Sequence, residues 1–243
     1  NIPMDPTNFS TGFSYGMAGK QRWAGAAEAS KFGAVAVLTR SLTLKRDNYP
    51  HTGSMNYGDA IVKIPAAALS IEATELLHEK LQTNTGLTVK LVLTCKSMER
   101  TKGYNVIGEI KGSEKPDEII VLSAHYDHVG IENGEVYNGA DDDGSGTVAL
   151  IEIAKAFQKA KEEGHGPKRS ILFLHVTGEE HGLLGSKYYS ENPLFPIANT
   201  ITDVNIDMIG RRDDLHKNSN DYVYIIGSDY LSSDLFTICE DAN

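Results

Sequence analysis

Four short, mostly apolar segments separated by polar and helical stretches constrain this chain more than any other feature. Glu118-Ile-Ile-Val-Leu-Ser-Ala124 and Ser170-Ile-Leu-Phe-Leu-His-Val176 are almost continuously apolar, and residues 104–110 and 202–208 follow the same habit. A strand with apolar residues on both sides has to be covered on both faces. Between these segments, residues 148–160 carry helical spacing, with Glu152, Lys155 and Lys159 on the wet face. Apolar strands alternating with helices predict an α/β fold, a mostly parallel sheet sandwiched by helices. Ligands of such sheets bind outside the carboxyl ends of the strands.

The preceding third reads as a small α/β module. Residues 22–32 predict a helix with Trp23, Ala26, Ala27, Ala29 and Phe32 as its apolar stripe, and 34–38 a short strand. Residues 61–70 form a strand region interrupted by Pro65, and 71–81 an amphipathic helix. Leu87, Val89, Leu91 and Leu93 alternate with mostly polar neighbours, the period-two pattern of a half-buried strand. Organisation follows: a first domain over 1–97, a polar linker over 98–103 and a second domain over 104–243.

Composition narrows the function classes. At 243 residues the chain can bury a sizeable core. No run of about 18 apolar residues is present, so no membrane span is expected. A formal charge of −10 argues against a general nucleic-acid surface. Two cysteines, Cys95 and Cys239, are too few for a disulfide scaffold or a Cys-based zinc site.

Chemistry gathers at the predicted strand ends. His125-Tyr-Asp127-His128 follows the strand that ends at Ala124, and Asp141-Asp142-Asp143 opens directly into a helix. Thr177-Gly178-Glu179-Glu180 follows Val176, and Asp207 lies near the end of the last strand. All of these offer nitrogen or oxygen donors and none a thiolate, the ligand set of a hydrolytic zinc or manganese site. Asp127 stands two residues after His125, placed to hold its second ring nitrogen. Each element has a bland reading: a lone His as a loop residue, an acidic triplet as a helix N-cap, paired glutamates as surface charge. Asp207 resists one, because an unpaired carboxylate in an apolar strand costs several kcal/mol. Coincidence at four strand ends outweighs the separate readings.

Three other signatures fail. Gly144-Ser-Gly146-Thr-Val-Ala149 mimics a dinucleotide fingerprint, but it follows three aspartates that would repel a pyrophosphate. Glu179-Glu180-His181 lacks the two-histidine helix of the common zinc proteases, and no Gly-x-Ser-x-Gly elbow exists for a serine triad. His51 reads as a loop residue rather than a ligand.

Ser123-Ala-His-Tyr-Asp-His-Val-Gly130, Asn138-Gly-Ala-Asp-Asp-Asp-Gly-Ser-Gly146, Thr177-Gly-Glu-Glu-His-Gly182 and Asn205-Ile-Asp-Met208 together resemble the dizinc exopeptidases of metallopeptidase family 28. Ala24-Gly-Ala-Ala-Glu-Ala-Ser-Lys-Phe-Gly-Ala34, Tyr49-Pro-His-Thr-Gly53 and Lys63-Ile-Pro-Ala66 resemble the protease-associated domain that some members carry. The resemblance implies two Zn2+ ions: His125 and Asp207 on one, Glu180 on the second, and Asp142 bridging both. It implies Glu179 as general base and Asp127 as the residue that orients His125. Short peptides are the implied substrates, a homodimer is compatible with the family, and a secreted or periplasmic location is implied by relatives alone.

The family places a further His ligand on the second zinc, well after the Asp207 motif. His216 lies too close to Asp207 to match it. The chain begins Asn1-Ile-Pro without a Met and ends at Asn243, so a partial protease-associated domain and the N-terminal part of a catalytic domain are expected, with activity not expected of this chain alone. A single-zinc glutaminyl cyclase and a receptor-like binding protein of the same fold stand as alternatives. The protease-associated module counts against the first, and the retained His125, Asp142, Glu179, Glu180 and Asp207 count against the second.

Overall fold

The computed structural model describes residues 11–242 apart from 44, 52, 97, 133, 213–215 and 217–221. Asn1-Ile-Pro, Asn243 and Thr52 of the Tyr49–Gly53 motif, each used in the expectations above, lie outside the described residues. The chain divides into two compact units, residues 1–102 with 180–182, and residues 103–179 with 183–243.

In the first unit, α1 (Thr11–Trp23) and α2 (Gly25–Ser30) are followed by two parallel strands, β1 (Val37–Arg40) and β2 (Ala66–Leu69), and by α3 (Ile71–Thr83). The single helix expected over 22–32 is two, broken at Ala24, and Phe32 lies beyond both and is exposed. Its small core holds Ala26, Ala27, Leu42, Ile64 and Ile71. Ser70 caps α3 by accepting the Ala73 N–H at 3.1 Å, which accounts for the sharp helix start. The strand expected over 87–94 does not form among the described residues, and Val89 and Val92 are exposed. Alternation specifies which face a strand would bury, but a ladder needs a partner strand, and none pairs there.

In the second unit the elements run β3 (Val106–Ile110), β4 (Lys115–His125), a hairpin of β5 (Gly130–Glu132) and β6 (Glu135–Tyr137), α4 (Gly144–Glu162), β7 (Arg169–Val176), α5 (Leu184–Glu191) and β8 (Thr200–Asn205). Short helices α6 (Ser228–Leu231) and α7 (Ser233–Ala242) close it. The central sheet has the order β3-β7-β4-β8, with β4 parallel to both β7 and β8 and only β3 antiparallel. This is the expected α/β architecture, a mostly parallel sheet flanked by helices.

Side chains alternate strictly across the two inner strands. Ile119, Val121, Leu172, Leu174 and Val176 pack with Tyr189 of α5 on one face. Ala124, Ile171 and Phe173 pack with Leu150, Ile153 and Phe157 of α4 on the other. Leu150 and Leu172 are fully buried, each contributing about 1.5–3 kcal/mol by leaving water. The chain leaves β4 through α4 to reach β7 on one side, then crosses back through α5 to β8 on the other. Right-handed crossovers in opposite directions place the two helices on opposite faces and open a crevice at the end of β4. β8 departs from expectation: it is a largely exposed edge strand and ends at Asn205, so Asp207 stands just past the strand rather than inside it.

Candidate metal centre

His125 is the last residue of β4, at the point where the sheet order reverses, and its side chain is 3% exposed. Its Nδ1 lies 3.0 Å from the Asp127 carbonyl oxygen. A carbonyl can only accept, so Nδ1 carries the proton and the lone pair of the neutral ring sits on Nε2. That Nε2 faces carboxylates: Asp142 Oδ1 at 3.1 Å, and Glu179 Oε2 and Asp207 Oδ1 each at 3.9 Å. His125, Asp142 and Asp207 offer ligand atoms within 4.8 Å of one another. One buried imidazole with a free lone pair and two carboxylates fits a zinc ion by donor type.

The expected role of Asp127 takes a different form. Its backbone carbonyl holds the His125 ring, while its carboxylate, 3.7 Å from Nδ1, accepts the Glu179 N–H at 3.1 Å. One residue therefore ties the ligand after β4 to the carboxylate after β7. The β7–α5 turn is braced by Asn105, which accepts from the Thr177 N–H and donates to the Gly185 carbonyl. Asn105 was not singled out in the sequence, where an Asn beside a strand start carries no distinguishing signal.

The acidic triplet divides its labour. Asp142 directs its carboxylate, 42% exposed, at His125. Asp143 turns inward and is 1% exposed. It accepts N–H groups from His125 at 3.2 Å, Gly146 at 2.8 Å and Met208 at 3.3 Å. Asp141 accepts the Gly210 N–H at 2.8 Å and pairs with Arg211. The Asp142–Asp143 peptide is cis. Asp143 was legible only as a helix N-cap, which it is, through Gly146. Gly146 has to be glycine: a Cβ there would meet the Ile206 carbonyl and both Asp143 oxygens.

Glu179 is partly buried beside the cluster. Glu180 follows it in the chain, is half-buried, groups with residues 180–182 in the first unit, and is not part of the three-residue cluster. His51 is an exposed loop residue whose N–H donates to Ser41 Oγ, and His216 stacks on Tyr222. Neither joins the cluster.

Burial and the crowding of carboxylates together shift the pKa values in the cluster. Burial by itself lowers the His125 pKa, but the Asp127 carbonyl and the charges of Glu179, Asp143 and Asp207 outweigh it, and the net shift is upward. Burial, then the neighbouring carboxylates Asp143, Asp142 and Asp141, raise Asp207, with His125 opposing. Burial raises Asp143 against the three N–H groups that stabilise its charge. Such convergence of like charges is what a cation would relieve.

Residues 105–225 match peptidase family M28. Carboxypeptidase Q of Xenopus laevis is 34% identical over 178 residues, 73% of this chain and 36% of that protein. Carboxypeptidase Q of Homo sapiens is 32% identical over 186 residues, 76% of this chain and 38% of that protein. A solved peptidase M28 precursor from Shewanella amazonensis SB2B is 32% identical with a TM-score of 0.58, over 74% of this chain and 39% of that one. The chain thus spans well under half the length of these relatives. Because the metal-type cluster lies on the matched segment, at the sheet reversal, geometry and likeness point to the same conclusion: the chain belongs to peptidase family M28.

Proposed function

We propose that the chain forms part of a zinc-dependent exopeptidase that hydrolyses the terminal bond of short peptides or dipeptides. The observation that carries this reading is the meeting of His125 Nε2 with the Asp142 and Asp207 carboxylates within 4.8 Å, with Glu179 alongside. His125 and Asp207 would hold one zinc, Asp142 would bridge to a second, and Glu180 would serve that second ion. Zinc bound there supplies Lewis acidity, which lowers the pKa of a water and polarises the scissile carbonyl.

The chain's own residues do the rest. Asp127 fixes the ring of His125 through its carbonyl and the backbone of Glu179 through its carboxylate. Glu179 takes a proton from the attacking water and delivers it to the leaving amine as the C–N bond breaks. The first unit is read as a partial protease-associated domain, and the location as secreted or periplasmic. Among the described residues no helix is long and apolar enough to cross a membrane.

The test is the zinc-to-protein ratio after gel filtration, followed by assay of free, N-acylated and C-amidated dipeptides. Stoichiometric zinc with release of single amino acids supports the reading, and the blocked substrates report which end is attacked. Ammonia release from an N-terminal glutamine would favour the cyclase instead. Stoichiometric zinc with no turnover in any active-length form would favour a binding protein.

A further inference from the structure

The loop after β8 is sewn to the loop before α4 and to the first turn of that helix by side chains that have no part in the proposed ligand set. Three consecutive N–H groups, those of Met208, Ile209 and Gly210, donate to Asp143 Oδ1 at 3.3 Å, Ser145 Oγ at 3.1 Å and Asp141 Oδ1 at 2.8 Å. Met208 is held at φ 52°, a left-handed conformation that costs a non-glycine residue energy and persists only where its surroundings enforce it. Asp143 is the hub of this stitching. Its Oδ1 also caps α4 through Gly146, and its Oδ2 takes the N–H of His125. One buried carboxylate thus grips the backbone of one proposed ligand, the residue after another, and the helix start, while it is bonded in sequence to the third.

We propose that Asp143 is a positioning residue that assembles the metal-binding cluster before any ion arrives. This rests on the reading of His125, Asp142 and Asp207 as metal ligands. Only a carboxylate meets the requirement, because N–H donors approach both oxygens. An Asn could keep its oxygen toward Gly146 and Met208, but its amide would then set a donor against the His125 N–H. Ala would leave all three N–H groups without this acceptor.

The experiment measures zinc affinity of the chain by competition with a chromophoric chelator, together with the visible absorption bands of the Co2+ form. Asp143→Asn is expected to bind zinc about 10–100-fold more weakly, as loss of a group that orients ligands does, and to shift the Co2+ bands. Ser145→Ala, which removes the Ile209 link and the bond from Ser145 Oγ to the Asp141 carbonyl but leaves Asp143 in place, is expected to weaken binding by less, roughly threefold to tenfold. A merely structural role would lower the melting temperature but leave affinity and band positions of the folded protein unchanged, and that result overturns the proposal. Should Asp143→Asn fail to fold, Ser145→Ala decides by the same two readouts. Absence of zinc binding in the unaltered chain would instead defeat the metal reading itself, and the proposal with it.

Discussion

His125 and Asp142 meet side chain to side chain, Nε2 to Oδ1 at 3.1 Å, although 17 residues separate them in the chain. The pairing exists because the Asp127 carbonyl occupies the other ring nitrogen and because Asp143, not Asp142, is buried under the backbone. The two neighbours in the triplet thereby divide into one carboxylate that faces the crevice and one that faces the fold.

This division predicts different fates for adjacent substitutions. Asp142→Ala is expected to leave the chain folded, since that side chain is 42% exposed, and to weaken zinc binding by about 100-fold or more. Asp141→Ala is expected to act chiefly on the fold, because Asp141 holds Gly210 and Arg211. Its loss should cost about 1–2 kcal/mol of stability and a smaller part of the zinc affinity. Calorimetric zinc titration and urea unfolding read both, and equal loss of zinc from the two variants would refute the assigned frame.

Glu179→Gln isolates the proton-transfer role. In a preparation that hydrolyses short peptides, turnover should fall by about two orders of magnitude or more, with bound zinc unchanged by elemental analysis. Unaltered turnover would remove Glu179 from the mechanism.

Acidity should act on the metal-free chain in an unusual direction. A group whose folded pKa exceeds its unfolded value stabilises the fold fully below the unfolded value, and that contribution is lost as pH rises through the folded one. His125, Asp143 and Asp207 are all shifted this way. For the two carboxylates burial, joined at Asp207 by the neighbouring negative charges, makes the ionised forms a burden on the metal-free fold at neutral pH, whereas protonated His125 is favoured by its carboxylate neighbours. Asp207→Asn should therefore raise the urea midpoint of the metal-free chain at neutral pH, with the gain shrinking as pH falls toward the carboxylate range, while zinc affinity drops. In the unaltered chain, zinc affinity should begin to decline on acidification above pH 6.5, because the raised His125 pKa brings proton competition early. A midpoint lowered at neutral pH by Asp207→Asn would contradict this account.

Gly146→Ala tests the tightness of the same region. A Cβ would drive into the Ile206 carbonyl and the Asp143 carboxylate, so a loss of about 1–3 kcal/mol is expected. Alanine at the exposed Gly108, where nothing lies within 4 Å, is the comparison. Equal midpoints in urea would show that the loop yields freely.

Much of this was legible in the residues. The apolar runs at 118–124 and 170–176 became the inner strands β4 and β7, because a segment apolar on both sides has few stable places except mid-sheet. The helix over 148–160 extended back to Gly144 once Asp143 supplied the cap. Leu87–Leu93 misled because period-two alternation describes a face without naming a partner strand. Asp207 was placed one step too deep because apolar neighbours do not mark where a ladder ends.

The residue types and their order by themselves determined the sheet, the helices that cover it, and the choice of imidazole and carboxylate donors at strand ends. Local pattern and short-range hydrogen bonding suffice for those. Tertiary structure decided which of three consecutive aspartates faces the crevice, and that Asp127 works through its carbonyl on His125 and its carboxylate on Glu179. Those assignments depend on N–H groups of Met208, Gly210 and Glu179, which lie tens of residues away in the chain and become neighbours only when β4, β7 and β8 align their ends.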